Sequence, residues 1–133
     1  MNTKMFVGIL AAIVAIGIFS SPLAAFATKN VQIDVATTDS SAAGTVLIKV
    51  DKDSCDFNPS LDTTTKQFLN NFATHTFNNL AINTGDTVCA GALVQDSVNG
   101  VRWGFEYTTL TAGSGGTVSF TGNDKVLLTE HTP

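Results

Sequence analysis

An all-β chain, built as an antiparallel β-sandwich or jelly-roll with one short helix and preceded by a cleaved N-terminal signal peptide, is the architecture that these 133 residues predict. Three observations carry that expectation. Apolar and polar residues alternate with a period of two in several short runs, as half-buried strands require. Turn-forming pairs and glycine clusters separate those runs at the spacing of an all-β domain. The first 27 residues carry a single charge and one long apolar stretch.

That stretch runs from Met5 to Phe19, with Lys4 ahead of it as the only charge before Lys29. This is the charged start and apolar core of a secretory leader. Ser20-Ser21-Pro22 breaks a helix because proline has no N–H to donate. Ala25-Phe26-Ala27 then offers small residues at the positions a signal peptidase reads, which places cleavage between Ala27 and Thr28. Two other readings are open. Met5 to Ala27 is long enough to stay as a membrane anchor, for which about 20 apolar residues suffice. A pilin-type leader cut near Lys4 would want Gly before Met5 and Glu within 7–10, and has neither. The expected division is therefore a signal peptide at 1–27, an N-terminal strand segment at 28–38 and a sandwich domain at 39–133.

In the mature part, Val31, Ile33 and Val35 alternate with Gln32 and Asp34 and form a strand with one apolar face. A small, polar stretch from Thr37 to Gly44 reads as a flexible connector. Thr45–Val50 is a β-branched strand ended by the charged turn Asp51-Lys-Asp-Ser. Between Leu61 and Leu80, Phe68, Leu69, Phe72, Ala73, Phe77 and Leu80 recur at three- and four-residue spacing. That predicts a short helix within 63–73, although its Thr and Asn content is poor for helix, and leaves 74–82 as readily extended. Asn83-Thr-Gly-Asp86 is a turn.

Asn99-Gly100 is a favoured pair for a two-residue type I′ hairpin. Closed there, the register pairs Val94 with Phe105 and Ala92 with Tyr107, and Val98, Val101, Trp103, Phe105 and Tyr107 share a core face. Ser97/Arg102, Gln95/Gly104 and Leu93/Glu106 then share the opposite, mostly polar one. After the glycine-rich link 112–116, Thr117–Thr121 forms a strand that Gly122-Asn-Asp124 turns back into Lys125–Thr129, with Val118 and Phe120 facing Leu128 and Val126.

Composition narrows the function classes. All eleven acidic residues follow the leader, against five Lys and one Arg, a formal net charge of −5. Such a domain has no electrostatic footprint for nucleic acid. Its surface is instead neutral and polar, rich in Thr, Ser, Asn and Gly. Cys55 and Cys89 are the only cysteines, and in an oxidising compartment such a pair forms one disulfide, worth about 3–4 kcal/mol by loop-closure entropy.

Candidate sites are few. His75 and His131 are the only histidines and belong to no zinc motif; no nucleophile elbow, phosphate loop or C-x-x-C occurs. The chain is therefore read as a non-enzyme without cofactor or metal. Asp51, Asp53 and Asp56 lie close enough to hold a hard cation, but the EF-hand pattern fails at Cys55 and Asp56, so they read as a solvated acidic turn. Glu106 and Arg102 read as a surface ion pair. Trp103 and Tyr107 would make a carbohydrate platform on an open face; the hairpin register assigns them to the core. No N-x-[ST] sequon is present.

Two segments resemble the TasA/camelysin family of exported β-sandwich proteins. Ala42-Ala-Gly-Thr-Val-Leu-Ile-Lys-Val-Asp51 is similar to the family's early G-T-L-x-L-x-V strand. Phe77-Asn-Asn-Leu80, Gly85-Asp-Thr-Val88 and the later Asn99-Gly100 are similar to its N-L-x-P-G-D-T-V strand start and following turn. The match departs at Thr84, where the family has Pro, at two residues inserted after Leu80, and in the Cys55/Cys89 pair. The resemblance implies a secreted jelly-roll, related in architecture to archaeal surface filaments, that polymerises into an extracellular fibre, pilus or biofilm matrix. In it, each subunit's N-terminal strand completes its neighbour's sheet.

The residues show an independent feature that meets this implication. Once the leader is cut, the alternating strand with Val31, Ile33 and Val35 lies at the new N-terminus on a flexible connector, placed to donate itself to a second copy by strand addition. Exchange of that kind is head-to-tail and gives an open homopolymer, free of the membrane after cleavage. The strand can equally be the first strand of a monomer. Rival expectations are a monomeric surface adhesin or ligand-binding sandwich, and a secreted metal-dependent protease, which only the camelysin side of the resemblance implies.

Overall fold

The structure, a computed structural model, describes residues 28–37, 44–94 and 102–131. The leader with its cleavage site, most of the connector, and the Asn99-Gly100 turn lie outside the described residues. The described chain forms two sheets packed face to face as a β-sandwich.

The first sheet is antiparallel throughout, in the order β3 (Asp62–Gln67), β2 (Thr45–Lys52), β5 (Thr87–Val94), β7 (Glu106–Thr111). The second is mixed, so the sandwich is not antiparallel in every pair. At its centre is β1 (Lys29–Thr37), with β4 (Phe72–Leu80) antiparallel on one side. On the other side β8 (Thr117–Phe120) and β9 (Val126–Leu128) both run parallel to it. A two-residue pair, β6 (Arg102–Trp103) with β10 (Glu130–His131), lies apart from both sheets.

Alternation builds the core. Val31, Ile33 and Val35 of β1, Val46, Ile48 and Val50 of β2 and Val88, Ala90 and Ala92 of β5 are all fully buried. Phe120, Val126 and Leu128 close the core beside them. β-branched residues suit this pleated surface, since their stiff side chains lose little freedom there.

Four expectations are corrected. No helix occupies 63–73. Thr63, Thr64 and Thr65 favour β3, and Asn70 and Asn71, both at positive φ (55° and 67°), form a two-residue turn that leads into β4. Leu69 and Phe72 exchange both backbone hydrogen bonds across it. The three- and four-residue spacing thus came from two strands meeting at a turn, not from one helical face.

Second, the hairpin register is shifted by one residue: Ala92 pairs with Glu106 and Gly91 with Tyr107. Phe105 and Tyr107 therefore face outward, at 40% and 55% exposure, and the core assignment of Tyr107 and Phe105 is reversed. Third, Glu106 joins the inward-facing set with Ala92, and its carboxylate accepts a hydrogen bond from Thr129 Oγ1 at 3.4 Å. The side chains of Arg102, Trp103 and His131 lie outside the described ones.

Fourth, Gly122–Asp124 does not reverse the chain. It forms one turn of 3-10 helix, Gly122 taking φ 57°, and the chain continues onward. β8 pairs with the first half of β1 and β9 with the second half, so the two are one interrupted strand along a single edge.

Candidate functional site

The feature in which sequence and geometry converge is the seat of β1. Alternation puts Lys29, Val31, Ile33 and Val35 inward and Asn30, Gln32, Asp34 and Ala36 outward. Backbone ladders hold both edges, from Lys29 to Ala36 along β4 and from Asn30 to Thr37 along β8 and β9.

Side chains fix the register. Asp34 Oδ1 accepts from Thr74 Oγ1 at 2.6 Å and from Gln32 Nε2 at 3.4 Å. Asn30 Oδ1 accepts from the N–H of Asn79, a residue at φ 58° where β4 bulges against β1. Lys29 is buried, and its ammonium donates to the Gly115 carbonyl at 2.5 Å, which offsets the cost of burying that charge.

Fully burying a Val or Ile side chain is worth about 1.5–3 kcal/mol, so Val31, Ile33 and Val35 together contribute roughly 5–9 kcal/mol. A domain's whole stability is of order 5–15 kcal/mol. The seat therefore has to be filled by a strand of this pattern. What the seat can do chemically is bind an extended, alternating chain.

Both ends of the connector are anchored at one corner. Thr37 N–H donates to the Asn71 carbonyl at 3.1 Å, and Phe68 N–H donates to the Gly44 carbonyl at 3.1 Å. Asn71 and Phe68 are three residues apart, at most about 11 Å, whereas the seven steps from Thr37 to Gly44 reach about 23–25 Å. Seven steps of chain are thus long enough to join Thr37 to Gly44 within one subunit.

The other candidates are built differently. Cys55 and Cys89 form the expected disulfide, with Cα atoms 5.7 Å apart. It pins the loop 53–61 onto the outer face of the first sheet. Asp51 is buried there, not solvated, and accepts the Phe57 N–H at 2.9 Å. Asp53 and Asp56 serve the same loop: the Asp53 N–H donates to the Thr87 carbonyl, and Asp56 Oδ1 accepts from the Asn58 N–H. Among the described residues no group of three or more His, Cys, Asp or Glu is placed to hold a metal ion.

Under that loop, Phe57 meets Phe105 and Tyr107 edge-on, with centroids 5.1 and 5.8 Å apart. Gly91 is the floor of this cluster: a Cβ there would lie 2.8 Å from Phe105 Cε1 and closer still to Cζ. The sequence signal for this face was Gly91 within an otherwise apolar strand, since an interior glycine marks a close approach.

His75 is half-buried on the inward side of β4, edge-on to Phe77 at 4.6 Å. Burial pushes its pKa below the ordinary 6.5 and the Lys66 ammonium adds to this, while Asp62 opposes them.

The residues that carry the family resemblance have structural work here. Gly85 takes φ 95°, and the Asp86 carboxylate accepts the Asn83 N–H at 2.8 Å and lies 3.7 Å from Lys52 Nζ. Thr84 uses its hydroxyl to bond the Gly113 carbonyl at 3.0 Å. The chain matches no protein-family model, no curated protein and no solved structure.

Proposed function

We propose that the chain is a structural subunit of an extracellular filament, pilus or biofilm-matrix fibre. It is exported, cut between Ala27 and Thr28, and polymerises head to tail by lending β1 to the next copy. One observation carries the reading: β1 is a complete core strand, with Val31, Ile33 and Val35 at 0% exposure, whose covalent link to the following strands runs through residues 38–43.

An exchanged strand makes the same ladder and fills the same core as a retained one. The difference between closed and exchanged forms is then set by tether entropy and concentration. Short flexible tethers give effective concentrations of order millimolar. Exchange does not close on itself, so it propagates. The neutral Thr-, Ser- and Asn-rich surface suits packing between copies, and the reading involves no enzymatic step.

The test expresses residues 28–133 and 38–133 and examines both by electron microscopy. Fibres from the longer chain alone support strand donation. A longer chain that remains monomeric at high concentration, with 31–35 protected from hydrogen exchange, sinks it.

A second reading, a monomeric adhesin or ligand-binding sandwich, is favoured by the open aromatic cluster of Phe57, Phe105 and Tyr107. It requires that F105A/Y107A abolish attachment of the monomer to a surface or glycan while leaving its fold intact.

A further inference from the structure

The outer face of the second sheet is polar over most of its length, presenting Gln32, Asp34, Thr74, Thr76 and Ser119. It changes character at the end where β1 finishes. There Ala36 lies opposite Phe72 on β4 and opposite Leu127 on β9, three cross-strand neighbours on one face. Leu69 joins them through its hydrogen-bonded pairing with Phe72. Leu69, Phe72 and Leu127 are 75%, 40% and 48% exposed, so large apolar groups stand in water at one corner, on the two strands that flank β1 and on the turn that leads into β4. Neighbouring apolar groups that remain exposed mark a contact surface more often than isolated ones.

The chain itself indicates what covers them. When β1 comes from a neighbour, that neighbour's chain leaves the seat at Thr37, one residue from Ala36. Its own body resumes at Gly44, no more than about 23–25 Å away. The donor's body is therefore confined beside this corner, whatever its orientation. At the effective concentration of so short a tether, even a weak apolar contact is occupied.

We propose that the strip of Leu69, Phe72, Ala36 and Leu127 is the docking face for the body of the strand-donating copy. Each filament joint then has two contacts, the donated strand and this strip. The first supplies the affinity; the second fixes the angle between subunits. This rests on the filament reading above.

The test uses the full chain, produced with its leader in an exporting host. One arm places the photo-cross-linker p-benzoylphenylalanine at Phe72, or separately at Leu127, and maps adducts in the assembled material by mass spectrometry. The other compares wild type with L69S/F72S/L127S, monitoring fold by thermal melting and fibres by electron microscopy. The expected result is adducts between copies, with variant fibres that still form but whose persistence length falls several-fold. Wild-type fibres in which the adducts stay within one copy, or reach only lipid or an unrelated protein, overturn the strip while leaving strand exchange standing. So does an unchanged persistence length in a folded variant. A wild-type chain that makes no fibres overturns the filament reading, and the strip with it. If the triple variant does not fold, the adducts decide alone.

Discussion

Gly91 has a methyl's worth of missing volume, and Phe105 occupies it. Substituting alanine forces the ring, the Phe57 loop or the β5–β7 ladder to move, and overpacking of this kind costs about 1–3 kcal/mol. G91A should lower the urea midpoint by that amount, and F105A should largely relieve the penalty in the double variant. The disulfide beside it closes a loop of 34 residues. C55A/C89A should lose about 3–4 kcal/mol in the same measurement. His75 gives a pH signature. Its folded pKa is depressed, so at pH above its unfolded value of 6.5 both states are neutral and it costs nothing. As pH falls through 6.5, the unfolded chain takes a proton that the folded one resists, and stability declines until the folded pKa is passed. Between about pH 7.5 and about pH 5, wild type should therefore lose more of its urea midpoint than H75Q does.

Elements were legible where period and turn chemistry agreed. The alternation of 31–35 marked the face that β1 buries, and the β-branched run 45–50 marked β2. The failures share a cause: a turn that the sequence expresses weakly. Asn70-Asn71 is a less familiar pair than Asn-Gly, so two strands passed for a helix. Gly122 suggested a reversal but makes only a 3-10 interruption. The β5–β7 register slipped because Phe105 is accepted on an outer face by Gly91, and burial alone does not anticipate an aromatic cluster built outside the core. For β1 itself, I33D should abolish folding of the single chain, since an unpaired carboxylate in that core costs several kcal/mol. Adding a synthetic peptide of residues 28–37 should restore protease resistance to the I33D chain if its seat accepts a strand from another molecule. No rescue at millimolar peptide would count against donation.

For the whole molecule, the sandwich was readable because many short strands with frequent turns leave few other all-β solutions. The mixed second sheet was not, because parallel pairing joins segments nearly ninety residues apart that share no local signal. Under the proposed exchange, closed and exchanged forms share the β1 ladder and core, so their balance depends chiefly on concentration. Refolding at micromolar concentration should yield closed monomers, while incubation near the tether's effective concentration, about millimolar, should yield head-to-tail chains. Size-exclusion chromatography with light scattering separates the two, and monomer at every concentration would rule the exchange out.

β1 pairs with β4, then with β8 and β9, and among the described residues its partner strands all begin at Phe72 or later. In order of synthesis, the strand that comes first has to wait for nearly the whole remaining chain before both its edges are covered. Such long-range pairing is slow, because the entropy of closing the intervening loop is spent before any contact forms. During that delay the seat and the strand that fits it are both open, each available to another molecule in the same condition. The topology thus sets a kinetic interval in which, under the proposed exchange, a neighbour's strand competes with the chain's own to the extent that its concentration approaches that of the tethered strand.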